Sequence, residues 1–92
     1  MKLALEVENS FKSDIKRVLR QGILGRDELE NIVERLLHRV PLAAKHKDHK
    51  LTGDLRAFRE CHIKPNLLLL YKIAGKTLYL VRLGSHSELF KK

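Results

Sequence analysis

Cysteine is nearly missing from this 92-residue chain: Cys61 stands alone, so no disulfide can form within it, which suits a reducing cytoplasm. Long apolar runs are missing as well. The longest, Leu67 to Tyr71, falls far short of the roughly 20 residues that cross a bilayer, and Met1 to Val7 lacks the extended apolar stretch of a signal peptide. A cytoplasmic location with no membrane partner is therefore the expectation. No cysteine cluster and no tight pair of ligands on a helix accompany the histidines. Although His46, His49, His62 and His86 could be imagined around a metal, neither a metal nor a cofactor is expected. Internal repeats and low-complexity segments are absent, and the length fits one domain over residues 1–92.

Acidic residues are scarce in the second half. Residues 1–43 carry 8 basic against 7 acidic side chains, whereas residues 44–92 carry 11 against 4, so most of the net charge of +8 lies in the second half. Four of the five histidines lie there too. Such a surface would hold a polyanion such as RNA, and imidazoles at the same place could move protons during chemistry on its backbone.

Leu3, Leu5 and Val7 alternate with polar neighbours, the period of a strand with one buried face over Lys2 to Glu8. From Ser10 the period becomes helical, with Phe11, Ile15, Val18 and Leu19 on one stripe, and Gly22 ends it. Asp27 and Glu30 have the spacing of a capping box for a second helix, whose stripe of Leu29, Ile32, Val33, Leu36, Leu37 and Val40 stops at Pro41. Pro41 to Asp54 has no periodicity and carries the run from Lys45 to Lys50, so it reads as a long basic loop. Leu55 to Ile63, Leu67 to Ile73 and Thr77 to Leu83 read as three strands joined by the short turns Lys64-Pro65 and Ala74 to Lys76. These make an antiparallel meander. Ser85 and Glu88 then have capping-box spacing for one terminal helical turn. The fold class expected is α+β, in the order β-α-α-β-β-β, with the meander sheet packed against two N-terminal helices.

A meander of this order brings His62, Asn66 and His86 to one end of the sheet. Arg82 could project toward the same end, Arg59 is a weaker candidate, and the loop holding His49 stays unplaced. Two imidazoles near an arginine suit phosphodiester cleavage without a metal. A base takes the ribose 2′-hydroxyl proton, an acid protonates the departing 5′-oxygen, and a cation steadies the charge on phosphorus. For His38 and His46 the plainer reading, a surface or packing role, is preferred. Lys45, Lys47 and Lys50 serve equally well as RNA contacts or as solvated loop residues.

Several motifs in order resemble one family. They are Asp48-His49-Lys50-Leu51 followed by Gly53, the run Phe58 to Pro65, Leu69-Leu70-Tyr71, and the run Arg82 to Phe90. Together they cover about half the chain and resemble the YafQ branch of the RelE-like bacterial toxins, the endoribonucleases of toxin–antitoxin pairs. The resemblance implies a helix-covered sheet, a cleft where messenger RNA is cut, often on the ribosome, and an antitoxin that wraps the toxin. Position by position it implies functional roles for His49, His62, His86 and Phe90. His86 would be the leading general acid, and His49 or His62 a base or phosphate ligand. Phe90 also has a plainer reading, that of closing the core. One departure stands out: the family's usual aspartate after the proline is Asn66 here, which cannot act as a carboxylate base, and weakened activity is expected. Leu67 likewise replaces an aromatic residue of some members, removing a base-stacking surface.

The rival reading is a noncatalytic regulator that binds RNA or DNA, with the two helices imitating a helix-turn-helix. Its would-be reading helix opens with Asp27, Glu28 and Glu30, which repel phosphates.

Overall fold

The computed structural model describes residues 2–90. Five strands form one sheet: β1 (Ala4–Val7), β2 (His49–Lys50), β3 (Arg59–Lys64), β4 (Leu67–Ala74) and β5 (Thr77–Gly84), in the spatial order β1-β5-β4-β3-β2. Helices α1 (Asn9–Gln21) and α2 (Arg26–Leu37) lie between β1 and β2 in sequence, and a short α3 (His86–Leu89) follows β5. No helix among the described residues is long and apolar enough to cross a membrane.

The meander β3-β4-β5 is antiparallel, as its short turns require. Three features add to or depart from the sequence expectation. First, β1, which that expectation left unplaced, joins β5 in parallel, Ala4 opposite Thr77 and Val7 opposite Leu80, so the sheet as a whole is mixed. Two helices lie between β1 and the meander and give the chain room to cross over. Second, the basic loop contains a fifth strand, since His49 and Lys50 pair with Glu60 and Arg59. A two-residue strand leaves no periodicity to read; its partner dictates it. The strand expected from Leu55 starts only at Arg59, because Gly53–Leu55 forms a 3₁₀ turn entered through Gly53 at φ 66°.

Helix ends follow local chemistry. Gly22 ends α1 in the left-handed conformation, at φ 70°. The capping box expected at Asp27 and Glu30 lies elsewhere: Gly25 is the N-cap, and Glu28 Oε1 accepts its N–H at 3.0 Å. Asp27 falls inside the first turn, where its charge favours the helix dipole.

One face of the sheet is covered by the helices. Phe11, Val18, Ile32, Leu36 and Leu37 pack there against Cys61, Ile63, Leu67, Leu69, Tyr71, Leu78, Leu80 and Leu83. Between these β4 residues alternate Leu68 and Leu70, which lie outside that cluster yet are only 1% and 7% exposed, so the other face of the sheet also has a buried floor.

The end of β5 depends on α1. Leu70 lies opposite Arg82 and Tyr71 opposite Leu80, leaving Val81 as an extra residue in a bulge. Past Leu80 no strand among the described residues borders β5 on that side. Side chains of α1, at the spacing of one helix face, serve its backbone instead: Ser10 Oγ donates to Val81 O at 2.6 Å, Asp14 Oδ2 accepts from Leu83 N at 2.9 Å, and Arg17 Nη2 donates to Leu83 O at 2.9 Å.

Candidate active site

Register places the histidines on the sheet face away from the helices. One row across the strands is His49, Glu60, Leu70 and Arg82; the next is His62, Leu68 and Gly84. His62 and Gly84 are thus two strand spacings apart, about 10 Å, and His86 follows Gly84 by two residues. Asn66 lies in the exposed turn between β3 and β4, at the same end of the sheet as His62 and Gly84.

Glu60 joins the two strand histidines. Its carboxylate is 3% exposed, and Oε1 lies 3.5 Å from His62 Nε2 and 3.7 Å from His49 Nε2, so whichever ring is protonated has an ion-pair partner. His49 Nδ1 lies 2.6 Å from Lys47 O; with the proton on Nδ1 it donates there, leaving Nε2 on the side of Glu60. His46 stands outside the cluster, with Nδ1 2.7 Å from His62 O, and ties the 3₁₀ turn Ala44–His46 to β3.

The loop that the sequence left unplaced is pinned through Asp48. Tyr71 Oη donates to Asp48 Oδ1 at 2.5 Å, and Arg59 Nε lies 3.3 Å from both Asp48 Oδ1 and Tyr71 Oη. Burial, reinforced by the Asp48 hydrogen bond, pushes the Tyr71 phenol well above its ordinary range, so it stays a donor at neutral pH. Arg59 is therefore on the helix-covered side, apart from the histidines. Lys50 neighbours it in register, facing away from His49. Lys45 is apart too, lining a cavity of about 220 Å³ with Glu28 and Arg35.

Around His86 the chain is held by its cap and by α1. Ser85 Oγ accepts from Glu88 N at 3.2 Å, and Glu88 Oε1 accepts from Ser85 N at 2.8 Å, the reciprocal pair expected from the sequence. Glu88 Oε2 lies 3.4 Å from Arg17 Nε. Gly84 is needed for this closeness, since a Cβ there would stand 2.9 Å from both Arg17 Nη2 and Glu88 Oε1. The rings of His86 and Phe90 stack at a tilt, with centroids 5.0 Å apart. Arg82 gives Nε to Asp14 Oδ2 at 2.7 Å and Nη2 to Oδ1 at 3.2 Å, so its guanidinium is oriented from α1. Burial by itself would raise the Asp14 carboxyl. Hydrogen bonds from Arg82, Leu83 N–H and Arg17 outweigh it and hold the group below the usual carboxylate range.

Sequence reasoning missed Glu60 and Asp14. Glu60 carried a usable signal, a carboxylate two residues from His62 on the same strand face; Asp14 carried none, as a lone acid on a helix stripe reads as solvated.

This chain falls in the class of toxins from bacterial type II toxin–antitoxin systems: the family described as "Bacterial toxin of type II toxin-antitoxin system, YafQ" matches residues 3–91. The chain belongs to the YafQ family. It is 30% identical over 87 residues to the mRNA interferase toxin YafQ of Escherichia coli strain K12, covering 94% of each chain. Its structure is similar to that of a copper-bound mutant toxin from Helicobacter pylori, with a TM-score of 0.92 and 41% identity over 96% of this chain and 99% of that one. It is similar also to a chain of the E. coli DinJ–YafQ toxin–antitoxin complex, with a TM-score of 0.88 and 28% identity over 98% and 99% of the two chains. The copper belongs to the H. pylori protein. Among the described residues here, no group of three or more His, Cys, Asp or Glu side chains is arranged to hold a metal ion.

Proposed function

We propose that this toxin is an endoribonuclease that cleaves messenger RNA by histidine acid–base chemistry without a metal, and that a cognate antitoxin neutralises it. The observation that carries the reading is the pair His49 and His62 around buried Glu60, in register with the strand end that leads to His86. Support for the substrate comes from the E. coli relative, named an mRNA interferase, and for the partner from the DinJ–YafQ complex. The net charge of +8 favours both RNA and an acidic antitoxin segment.

In the proposed reaction, His49 or His62 takes the proton of the ribose 2′-hydroxyl through Nε2, and the 2′-oxygen attacks the adjacent phosphorus. The bond to the 5′-oxygen breaks as His86 protonates that oxygen, leaving a 2′,3′-cyclic phosphate and a free 5′-hydroxyl. Arg82, aimed by Asp14, steadies the extra negative charge on phosphorus. Glu60 holds whichever imidazolium forms. Phe90, against the His86 ring, offers a surface for a base, while Lys47 supplies charge at the cleft margin. Asn66 brings no carboxylate to the turn, so activity is below that of a chain with aspartate there.

Purified protein incubated with a defined RNA in excess chelator, with and without translating ribosomes, tests this directly. Cyclic phosphate ends are expected, with a rate at least about a hundredfold lower for His86→Ala and higher for Asn66→Asp. RNA retention with no cleavage under either condition would instead support a noncatalytic binding regulator.

A further inference from the structure

Beyond the histidine cluster, the same sheet has a concavity that the proposed reaction does not use. β3 begins at Arg59, opposite Tyr71, while β4 runs on to Ala74, and the gap beside that overhang is a cavity of about 470 Å³. That volume falls within the range of small-molecule sites. Its lining includes Lys50, Arg56, Phe58, Arg59 and Lys72, and no carboxylate. Arg59 is neutralised by Asp48, but Lys50, Arg56 and Lys72 form no ion pair among the described residues. Three uncompensated cations around one cavity create a field that an anion would relieve.

Aromatic rings accompany that charge. Lys72 Nζ lies 5.6 Å from the Phe58 ring centroid and 5.1 Å from that of Tyr79, which is its register partner on β5. Both rings are only partly buried. Lys72 alternates with Leu70 and Leu68, so this cluster shares the face that carries Glu60 and His62. Phe58 lies four residues before His62, about 13 Å along the strand. A group held at Phe58 is therefore not the reacting phosphate.

We infer that the Phe58–Lys72–Tyr79 cluster and the adjoining cavity form a subsite for a nucleotide of single-stranded RNA away from the cleavage point. A base stacks on Phe58 or Tyr79, and Lys72 and Arg56 take the flanking phosphates, while Lys50, whose strand position faces the other side of the sheet, adds charge at the edge of the cavity. Aromatic faces beside lysine and arginine meet both halves of a nucleotide, whereas an acidic peptide would use only the cations. The inference rests on the RNA reading of the histidine site and extends its substrate track.

The test uses fluorescent 2′-O-methyl oligonucleotides, which lack the attacking hydroxyl, read by anisotropy across a salt series. Cleavage of the matching RNA is followed in parallel. Lys72→Met is expected to raise Kd about tenfold and to flatten the salt dependence by roughly 0.7 in log–log slope, the share of one phosphate on a single strand. Phe58→Leu, which keeps an apolar side chain, is expected to raise Kd about tenfold at unchanged slope. Variants that melt like wild type yet bind the oligonucleotide with unchanged Kd would overturn the subsite. So would a loss on Lys72→Met that is matched for a polyglutamate peptide, with Phe58→Leu leaving both ligands unaffected, because the patch would then recognise charge alone. Should Phe58→Leu fail to fold, Lys72→Met and Tyr79→Leu decide. Wild-type protein that neither binds nor cuts RNA would sink the ribonuclease reading itself; wild-type cutting with indifferent variants would sink only the subsite.

Discussion

Asp14 is the residue on which most of the site's framework converges. One carboxylate, 3% exposed, accepts from Arg82, Arg17 and the N–H of Leu83, so it joins α1 to the bulged end of β5 just ahead of His86. Removing its charge leaves two guanidinium groups facing a lost partner in a partly buried place. Asp14→Asn should therefore cost about 2–4 kcal/mol in urea unfolding. The pH dependence has a definite sign. The folded-state carboxyl is held below its ordinary value, so its contribution is complete above the unfolded pKa and disappears as pH falls through the lower, folded one. The wild-type advantage over Asp14→Asn, followed by urea midpoint, should thus shrink on acidification from neutral pH, and an advantage independent of pH would contradict the assignment. Glu60 differs: the groups facing its carboxylate are the imidazoles of His49 and His62.

At the scale of elements, α3 is too short to stand by its own hydrogen bonds, and its cap decides whether it forms. Ser85→Ala removes the acceptor of Glu88 N and should cost about 1 kcal/mol in unfolding free energy. It should also slow RNA cleavage, because His86 opens that turn, and a wild-type rate in this variant would show that the turn's geometry is not needed. Helical stripes, Gly22 and the capping pair of Ser85 and Glu88 were legible in the sequence because they are local: each needs only its neighbours within one turn. The N-cap of α2 was read two residues late, since Gly25 has no side chain to announce it and the partner is Glu28. β2 was invisible because pairing with Glu60 and Arg59, and the Asp48 anchor on Tyr71, are what make two residues a strand.

Over the whole molecule, the two faces of the sheet divide the work. The helix-covered face supplies the core, and the opposite face holds His49 and His62, a floor of Leu68 and Leu70, and the Lys72 cluster. Cys61 belongs to the first. It is fully buried, and desolvation, with Asp48 and Glu60 adding to it, pushes its thiol up to about 12. Iodoacetamide at pH 8 should leave native protein unmodified and label it once in denaturant, a readout of global unfolding; labelling of the native state would mean that the helix-covered core opens easily.

Charge, the single thiol, the helix stripes, the strand order of the meander and the shared end of His62, Asn66 and His86 all followed from composition, periodicity and turn length. Those properties are carried by neighbours in the chain, and family motifs added the candidate roles. The direction of β1, the seat of His49 beside Glu60, the pairing of Arg59 with Asp48 and the capture of Arg82 by Asp14 arose only from folding. Each depends on groups 11 or more residues apart, whose meeting is decided by the register of paired strands and the packing of α1 against an open sheet edge.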